Sequence, residues 1–329
     1  MPSGASSGDS PDLSVVIVTP DRFETIRKTI RHLKAQTVRE RIEVVIVAPE
    51  SADPDIDKDE LRDFWGYRVV RTAGIVSVGA ANAAGVRRAR APIVALAEDH
   101  SFPEPGWAEA LLEAHRGPWA AVGPVMRNAN PRTFVSWADL FVAYAPWLDP
   151  APAGPRSHLP GHNSSYKRDV LLRYGDDLEQ MMTSESVLHW DLRRRGHQLY
   201  LEPRAKTAHT NFSLPSSWLV SKFFSGRVFA SARVRNWPYW KRLVFGGASP
   251  LIPLVRLRQI LGQLRESRQP VGLVLRVLPV LLAGLAVSAA GEMAGYLLGA
   301  GGARERLAVF EFHRTLHLCA ADQKELTTC

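Results

Sequence analysis

Three adjacent side chains able to hold a divalent cation, Glu98, Asp99 and His100, directly follow the apolar run APIVALA and precede the turn sequence SFPEPGW. Mg²⁺ and Mn²⁺ take carboxylate oxygens and need only one or two protein ligands when substrate phosphates supply others. An imidazole suits Mn²⁺ better than Mg²⁺. The chemistry such a cluster suggests is the handling of a phosphorylated substrate. Ordinary solvated charge at a strand end is the plain alternative.

The elements that must hold this cluster are readable from apolar period. LSVVIVT from Leu13 and IEVVIVA from Ile42 are short runs rich in Val and Ile, and between them Ile26, Ile30 and Leu33 recur at helical spacing. That is a βαβ unit. YRVVRT is a third expected strand, followed by a Gly79 to Gly85 segment opening a helix, and APIVALA is a fourth, ending at Glu98. Alternating strands and helices predict an α/β fold with a mostly parallel central sheet. Ligands of such sheets bind at the carboxyl ends of the strands, where Thr19 to Glu24, Glu50 to Asp53, Gly79 to Asn82 and Glu98 to His100 fall. Arg22 and Glu24 could instead form a surface pair. Further on, GHNSSYKRDVLLRYG reads as a loop running into a helix. Another helix ends near Gly196, and a strand, HQLYLEP, leads toward His209.

Charge and hydropathy change after Ser216. The segment from Ser216 to Thr315 carries 14 Lys and Arg against 4 Glu and no Asp, a net of +10 in a chain of net +8, so the remainder sums to −2. Basic and aromatic residues there flank the long apolar run VGLVLRVLPVLLAGLAVSAAGEMAGYLLGAG. Its uncharged stretch from Val277 to Gly291 falls short of the roughly 20 residues of a spanning helix. A helical hairpin dipping into the bilayer is therefore as good an expectation as a clean span. Lys, Arg, Trp and Tyr around it suit a headgroup boundary, so an anionic phospholipid surface is the expected partner and nucleic acid is not. The only cysteines are Cys319 and Cys329, which predicts no disulfide framework and a reducing, cytosolic setting. The first twelve residues lack a basic n-region and an apolar core, and read as a flexible tail.

Several ordered segments together carry a family resemblance. VVIVTPDRFETIRKTIRHLKAQT followed by GAANAAGVRRARAPIVALAEDHSFPEPGW resembles the N-terminal half of a family 2 glycosyltransferase, an inverting enzyme of the GT-A fold and here of the membrane-associated bacterial type. GHNSSYKRDVLLRYG is similar to the acceptor-side segment of that family, and SESVLHWDLRRRGHQLYLEPRAKTAH to the region bearing its catalytic carboxylate. The resemblance covers about Leu13 to Asn211. It places Glu98 and His100 on the two aspartates of the family's Asp-x-Asp motif, with Asp99 between them. It also places Glu185 on the catalytic base and Ser184 beside it. Glu50 stands one residue beyond the family's base-reading aspartates, and Asn82 stands where an arginine contacts phosphate.

The resemblance implies a nucleotide-sugar site formed by Thr19, Pro20, Arg22, Glu50, Gly79, Asn82, Glu98 and Asp99. It implies an acceptor side of Gly161, His162, Asn163 and Trp190, and Mn²⁺ or Mg²⁺ held by Asp99, His100 and His209. Expected domains are a tail (1–12), a GT-A catalytic domain (13–215), a basic and apolar helical membrane-associated region (216–312) and a C-terminal tail (313–329). The expected activity, of hexosyltransferase type, moves a sugar from a UDP-, GDP- or dTDP-linked donor to a lipid-linked or polysaccharide acceptor. This would take place on the cytoplasmic membrane face, in cell-envelope polysaccharide biosynthesis. A sugar nucleotidyltransferase would share the sheet, but the sequence lacks its glycine-rich phosphate loop near the first strand. A degenerate GT-A scaffold or sugar-binding membrane protein is the non-enzyme alternative, motivated by the altered aspartates.

Overall fold

The computed structural model describes residues 10–51, 55–75, 77–183, 185–234 and 237–327. Asp53, Ser184, Cys329 and most of the expected N-terminal tail lie outside these residues. The chain divides into two compact units, Met1–Arg127 with Asp149–Ala208, and Asn128–Leu148 with His209–Cys329.

The first unit is built on a sheet. Its elements begin β1 (Leu13–Val18), α1 (Phe23–Lys34), β2 (Ile42–Pro49), α2 (Lys58–Leu61) and β3 (Gly66–Thr72). They continue with α3 (Val78–Arg88), β4 (Ile93–Ala97), β5 (Ser101–Pro103), α4 (Trp107–Ala114) and β6 (Ala121–Asn128). After α5 (Phe134–Tyr144), which belongs to the second unit, come β7 (Gly154–Arg156), β8 (Ser165–Lys167), α6 (Arg168–Leu172), α7 (Leu178–Met182), α8 (Glu185–Arg194) and β9 (Leu199–His209). The strand order is β3-β2-β1-β4-β8-β6-β9-β5, with β7 paired to β9.

The half expected from sequence, β3-β2-β1-β4, is parallel throughout. Every residue of β1 and β2 is buried, because helices cover both faces of a parallel sheet and leave no polar side for alternation. One such helix is α1, which turns Phe23, Ile26, Ile30 and Leu33 inward. Beyond β4 the sheet reverses, with β8 antiparallel to both β4 and β6. Register in the parallel half aligns Val18 with Val47 and Ile17 with Ala97, so Thr19, Glu50 and Glu98 all leave the sheet at one edge. The Pro105-Gly106-Trp107 turn bends the chain back from that edge. Gly106 adopts φ 86°, a left-handed conformation that favours glycine, and Trp107 opens α4 only 2% exposed.

The second unit is helical, comprising α5, α9 (Pro215–Arg233), α10 (Tyr239–Ala248), α11 (Ile252–Glu266), α12 (Val271–Leu298), α13 (Ala303–Phe312) and α14 (Ala320–Thr327). The apolar run is one continuous 28-residue helix passing through Pro279, not a hairpin. At 1.5 Å per residue it is roughly 42 Å long, and by length and composition it is the only described helix long and apolar enough to cross a membrane. It is also the wall of this unit's core, since Val277, Leu281 and Leu285 pack with Phe141, Trp218 and Ile260.

The approach of α12 to α9 depends on glycine. A Cβ on Gly291 would stand 2.0 Å from the Phe223 carbonyl oxygen, one on Gly295 2.4 Å from that of Arg227, and one on Gly226 2.2 Å from that of Ser288. Residues 284, 288, 291 and 295 repeat at three- and four-residue spacing and so form one narrow face of small residues. Glu292, the carboxylate inside the run, lies 3.7 Å from Arg256 of α11.

Candidate active site

The sheet edge that releases Thr19, Glu50 and Glu98 is also where α3 starts. Ser77 caps that helix by accepting a hydrogen bond from the Ala80 N–H at 3.1 Å. Thr19 is fully buried, its hydroxyl donating to the Arg22 carbonyl at 2.6 Å and so fixing the turn that carries Pro20 and Arg22. Arg22 and Glu50 are exposed. Asn82 is 2% exposed and its Oδ1 has no protein hydrogen-bond partner. An orphaned buried acceptor calls for a water or a ligand, and this one lies in the second turn of α3. Gly79 brings α3 against the end of α7: its Cβ would stand 2.5 Å from the Thr183 nitrogen, two residues before Glu185.

The Glu98, Asp99 and His100 cluster is tightly organised. His100 is 2% exposed, with Nδ1 2.5 Å from Asp99 Oδ1 and Nε2 3.9 Å from Glu98 Oε1. With Nδ1–H donating to Asp99, the imidazole presents Nε2 as its ligand atom, the usual arrangement in which a carboxylate orients a metal-binding histidine. Glu98 Oε2 accepts from Ser101 Oγ at 2.9 Å and from Asn163 Nδ2 at 2.8 Å. A carboxylate oxygen and an imidazole nitrogen within 4.8 Å of one another are a donor set that fits a divalent cation.

Asn163 ends the single 3₁₀ turn Gly161–Asn163, and that turn joins the cluster to the candidate base. His162 Nε2 lies 2.5 Å from Glu185 Oε1. Gly161 makes room for the same carboxylate, since a Cβ there would stand 2.1 Å from Glu185 Cγ. Glu185 is the first residue of α8, where the partial positive charge of a helix N-terminus favours an anion. Burial works against that charge, but the His162 imidazole, with smaller help from the Glu185 backbone N–H and His189, offsets it and holds the carboxyl below its usual range. Three consecutive residues thus serve both carboxylates.

Residues the sequence did not flag complete the surroundings. His189, one turn beyond Glu185 on α8, shares a hydrogen bond with Tyr166 Oη at 2.9 Å. Burial pushes its pKa down to about 4, despite the nearby Glu185 carboxylate, so His189 is neutral near pH 7. Burial and the Glu185 charge together raise the Tyr166 phenol well above its ordinary value. The i, i+4 spacing of Glu185 and His189 was the available signal. Trp190 is 39% exposed at the rim, with the His158 ring edge-on to it at 5.8 Å. His209 closes β9 and is counted in the second unit, its Nδ1 2.9 Å from Asn211 Oδ1 and its ring 4.8 Å from that of Tyr144.

Comparison with known proteins agrees with this geometry. The profile of Glycosyl transferase family 2 matches residues 14–175. Among solved structures, the chain is similar to a mannosyltransferase, PcManGT from Pyrobaculum calidifontis, solved in complex with GDP-Man and Mn2+. The identity is 18% and the TM-score 0.50, over 97% of this chain and 85% of that one. It is also similar to S. aureus TarS 1-349, at 15% identity and TM-score 0.45, over 90% of this chain and 92% of that one. No curated protein sequence matches. The order β3-β2-β1-β4, the cation-competent strand end and the matched segment agree on one assignment: residues 14–175 form a glycosyl transferase family 2 segment, and the protein is a glycosyltransferase of GT-A-like fold.

Proposed function

We propose that this glycosyltransferase moves a sugar, with inversion, from a nucleotide-sugar donor to a hydroxyl of a lipid-linked or polysaccharide acceptor, as a step in building a cell-envelope glycan. The observation that carries the reading is the Gly161–Asn163 turn, which gives one rigid support to Glu185 and to Glu98. Glu185 takes the proton of the acceptor hydroxyl as the oxygen attacks the anomeric carbon. The bond from that carbon to the phosphate breaks on the opposite face, and the electron pair leaves on the nucleoside diphosphate. A bound Mn²⁺ or Mg²⁺ supplies neutralising charge to that leaving group. Glu98 and His100 are proposed to hold it and Asp99 to orient His100, while His209 is proposed as a further ligand on the family resemblance alone.

On the donor side, Asn82 Oδ1 is the buried acceptor for a hydrogen bond from the nucleotide sugar. Thr19, Pro20, Arg22, Glu50 and Gly79 wall the same edge. On the acceptor side, Trp190 offers an exposed ring to a sugar face, and Gly161, His162 and Asn163 line the approach to Glu185.

The test is thermal unfolding of the full chain with UDP-, GDP- and dTDP-linked sugars, with and without Mn²⁺, alongside assay of nucleoside diphosphate release. GDP-mannose is the first probe. One nucleotide class should stabilise the protein by about 2.7 kcal/mol at a hundred times its Kd, and its release should depend on Mn²⁺. Silence with every class would overturn the reading.

A membrane-associated site of action, on the cytoplasmic face, is part of the same proposal. Tyr239, Trp240 and Val244 on α10 and Leu254 and Val255 on α11 are each more than half exposed, beside Lys241, Arg242 and Arg258. Aromatic and basic groups together suit an anionic headgroup layer. The full chain should float with phosphatidylglycerol vesicles and more weakly with phosphatidylcholine vesicles. Remaining at the bottom of the gradient with both would remove this part of the proposal.

A further inference from the structure

The Gly161–Asn163 turn contributes more to the base than space. We propose that His162 is a positioning residue for Glu185: its imidazole fixes the Glu185 carboxylate across the turn, and the acceptor hydroxyl reacts with a carboxylate that is already held. The inference rests on Glu185 being the base.

Four observations converge on it. His162 Nε2 is the atom facing Glu185 Oε1, at 2.5 Å, on side chains 26% and 21% exposed, so the pair is sheltered from solvent but open to an incoming hydroxyl. Gly161 leaves that space open, since a Cβ there would stand 2.1 Å from Glu185 Cγ. The turn cannot drift, because Asn163 is tied to Glu98 at 2.8 Å and the Ser164 hydroxyl donates back to the Pro160 carbonyl at 2.8 Å. The other groups facing Glu185 are not substitutes for His162. From its own helix, His189 is neutral near pH 7 and bonded to Tyr166. From β8, the Tyr166 phenol stays protonated. His162 is thus the imidazole in direct contact with the base.

A carboxylate gripped on one oxygen loses rotamer freedom before the acceptor arrives. It also stays ionised to lower pH, since the attraction of His162 opposes protonation. The sign of the pH effect follows. Transfer needs ionised Glu185 and fails as pH falls through its pKa. Removing His162 raises that pKa, so the acid side of the rate profile shifts to higher pH.

The experiment compares His162→Ala, His162→Gln and Glu185→Gln in the full chain. It reads kcat against pH for transfer from the active donor, and the thermal shift given by the corresponding nucleoside diphosphate with Mn²⁺. His162→Ala should lower kcat about ten- to a hundredfold, a part of the ~10²–10⁴ that a general base contributes, and move the acid side of the profile upward. His162→Gln, which restores an N–H donor without a charge, should recover most of the rate while keeping the shifted profile. The nucleotide shift should match wild type in both. Wild-type kcat and pH profile in His162→Ala, beside an inactive Glu185→Gln, would overturn the inference alone. Loss of the nucleotide shift together with activity in both His162 variants would mark a purely structural residue and overturn it too. Turnover in Glu185→Gln equal to wild type would instead remove the base on which it rests.

Discussion

Glu185→Gln is expected to lower kcat for sugar transfer by about 10³-fold, within the ~10²–10⁴ range of general-base catalysis, while leaving donor binding intact. The substitution is nearly isosteric and keeps an oxygen beside His162 Nε2, so the turn of residues 161–163 has no reason to move. Only the capacity to take a proton is lost. The carboxylates of the neighbouring cluster have other partners: Glu98 accepts from Ser101 and Asn163, and Asp99 pairs with His100. The measurement is a rate with saturating donor and acceptor, beside the nucleotide-induced thermal shift. A variant that turns over like wild type would transfer the role of base to another group.

The largest expected loss of stability comes from Gly291→Val. A Cβ there meets the Phe223 carbonyl oxygen at 2.0 Å, which is backbone and cannot rotate away. A β-branched side chain forces α9 and α12 apart along a face that is close-packed because it is small. Overpacking commonly costs about 1–3 kcal/mol, and separating two helices that share a core should reach the upper end or exceed it. Gly272→Ala, in the first turn of the same helix with nothing within 4 Å of the added Cβ, is the control and should gain a few tenths of a kcal/mol or more from helix propensity. Thermal unfolding of the two variants in the same detergent decides the matter. Equal melting temperatures would show that the helices do not rely on glycine contact.

The parallel half of the sheet was legible because burial on both faces writes itself as runs of Val and Ile: LSVVIV and IEVVIV hold no alternation to misread. β5, β7 and β8 were not legible, since three residues are too few to show any period. β9 ran past the expected HQLYLEP because Arg204 and Lys206 alternate with buried Ala205 and Thr207, and charged residues on its exposed side concealed the strand. The hairpin was one of two expectations for the apolar run and came from the shortness of its uncharged stretch, Val277 to Gly291; Pro279 does not break the helix either. A proline removes one backbone hydrogen bond and crowds one turn, and packing on several sides of α12 outweighs that.

In the candidate site, ordered motifs singled out Glu98, His100 and Glu185 as candidates, but not who touches whom. His162 reaches Glu185 across 23 residues, through the place of a turn in the tertiary structure and not through any spacing. His189 and Tyr166 were overlooked because each looks like an ordinary residue of a helix or a strand. Their own shifted protonation beside Glu185 comes mainly from burial, which the sequence does not state.

The packing of α12 bears on how this protein can be handled at the bench. An apolar helix near the end of an enzyme invites removal to improve solubility. Here Trp218 stacks its indole over Gly284, so close that a Cβ would come within 2.2 Å of the ring, and Phe141 shares the same cluster. Cutting the chain before Val271 would uncover both rings and turn a core into an aggregation surface. A preparation fit for the assays above retains the helix, and meets its greasy outer face with detergent or lipid instead of a shorter gene.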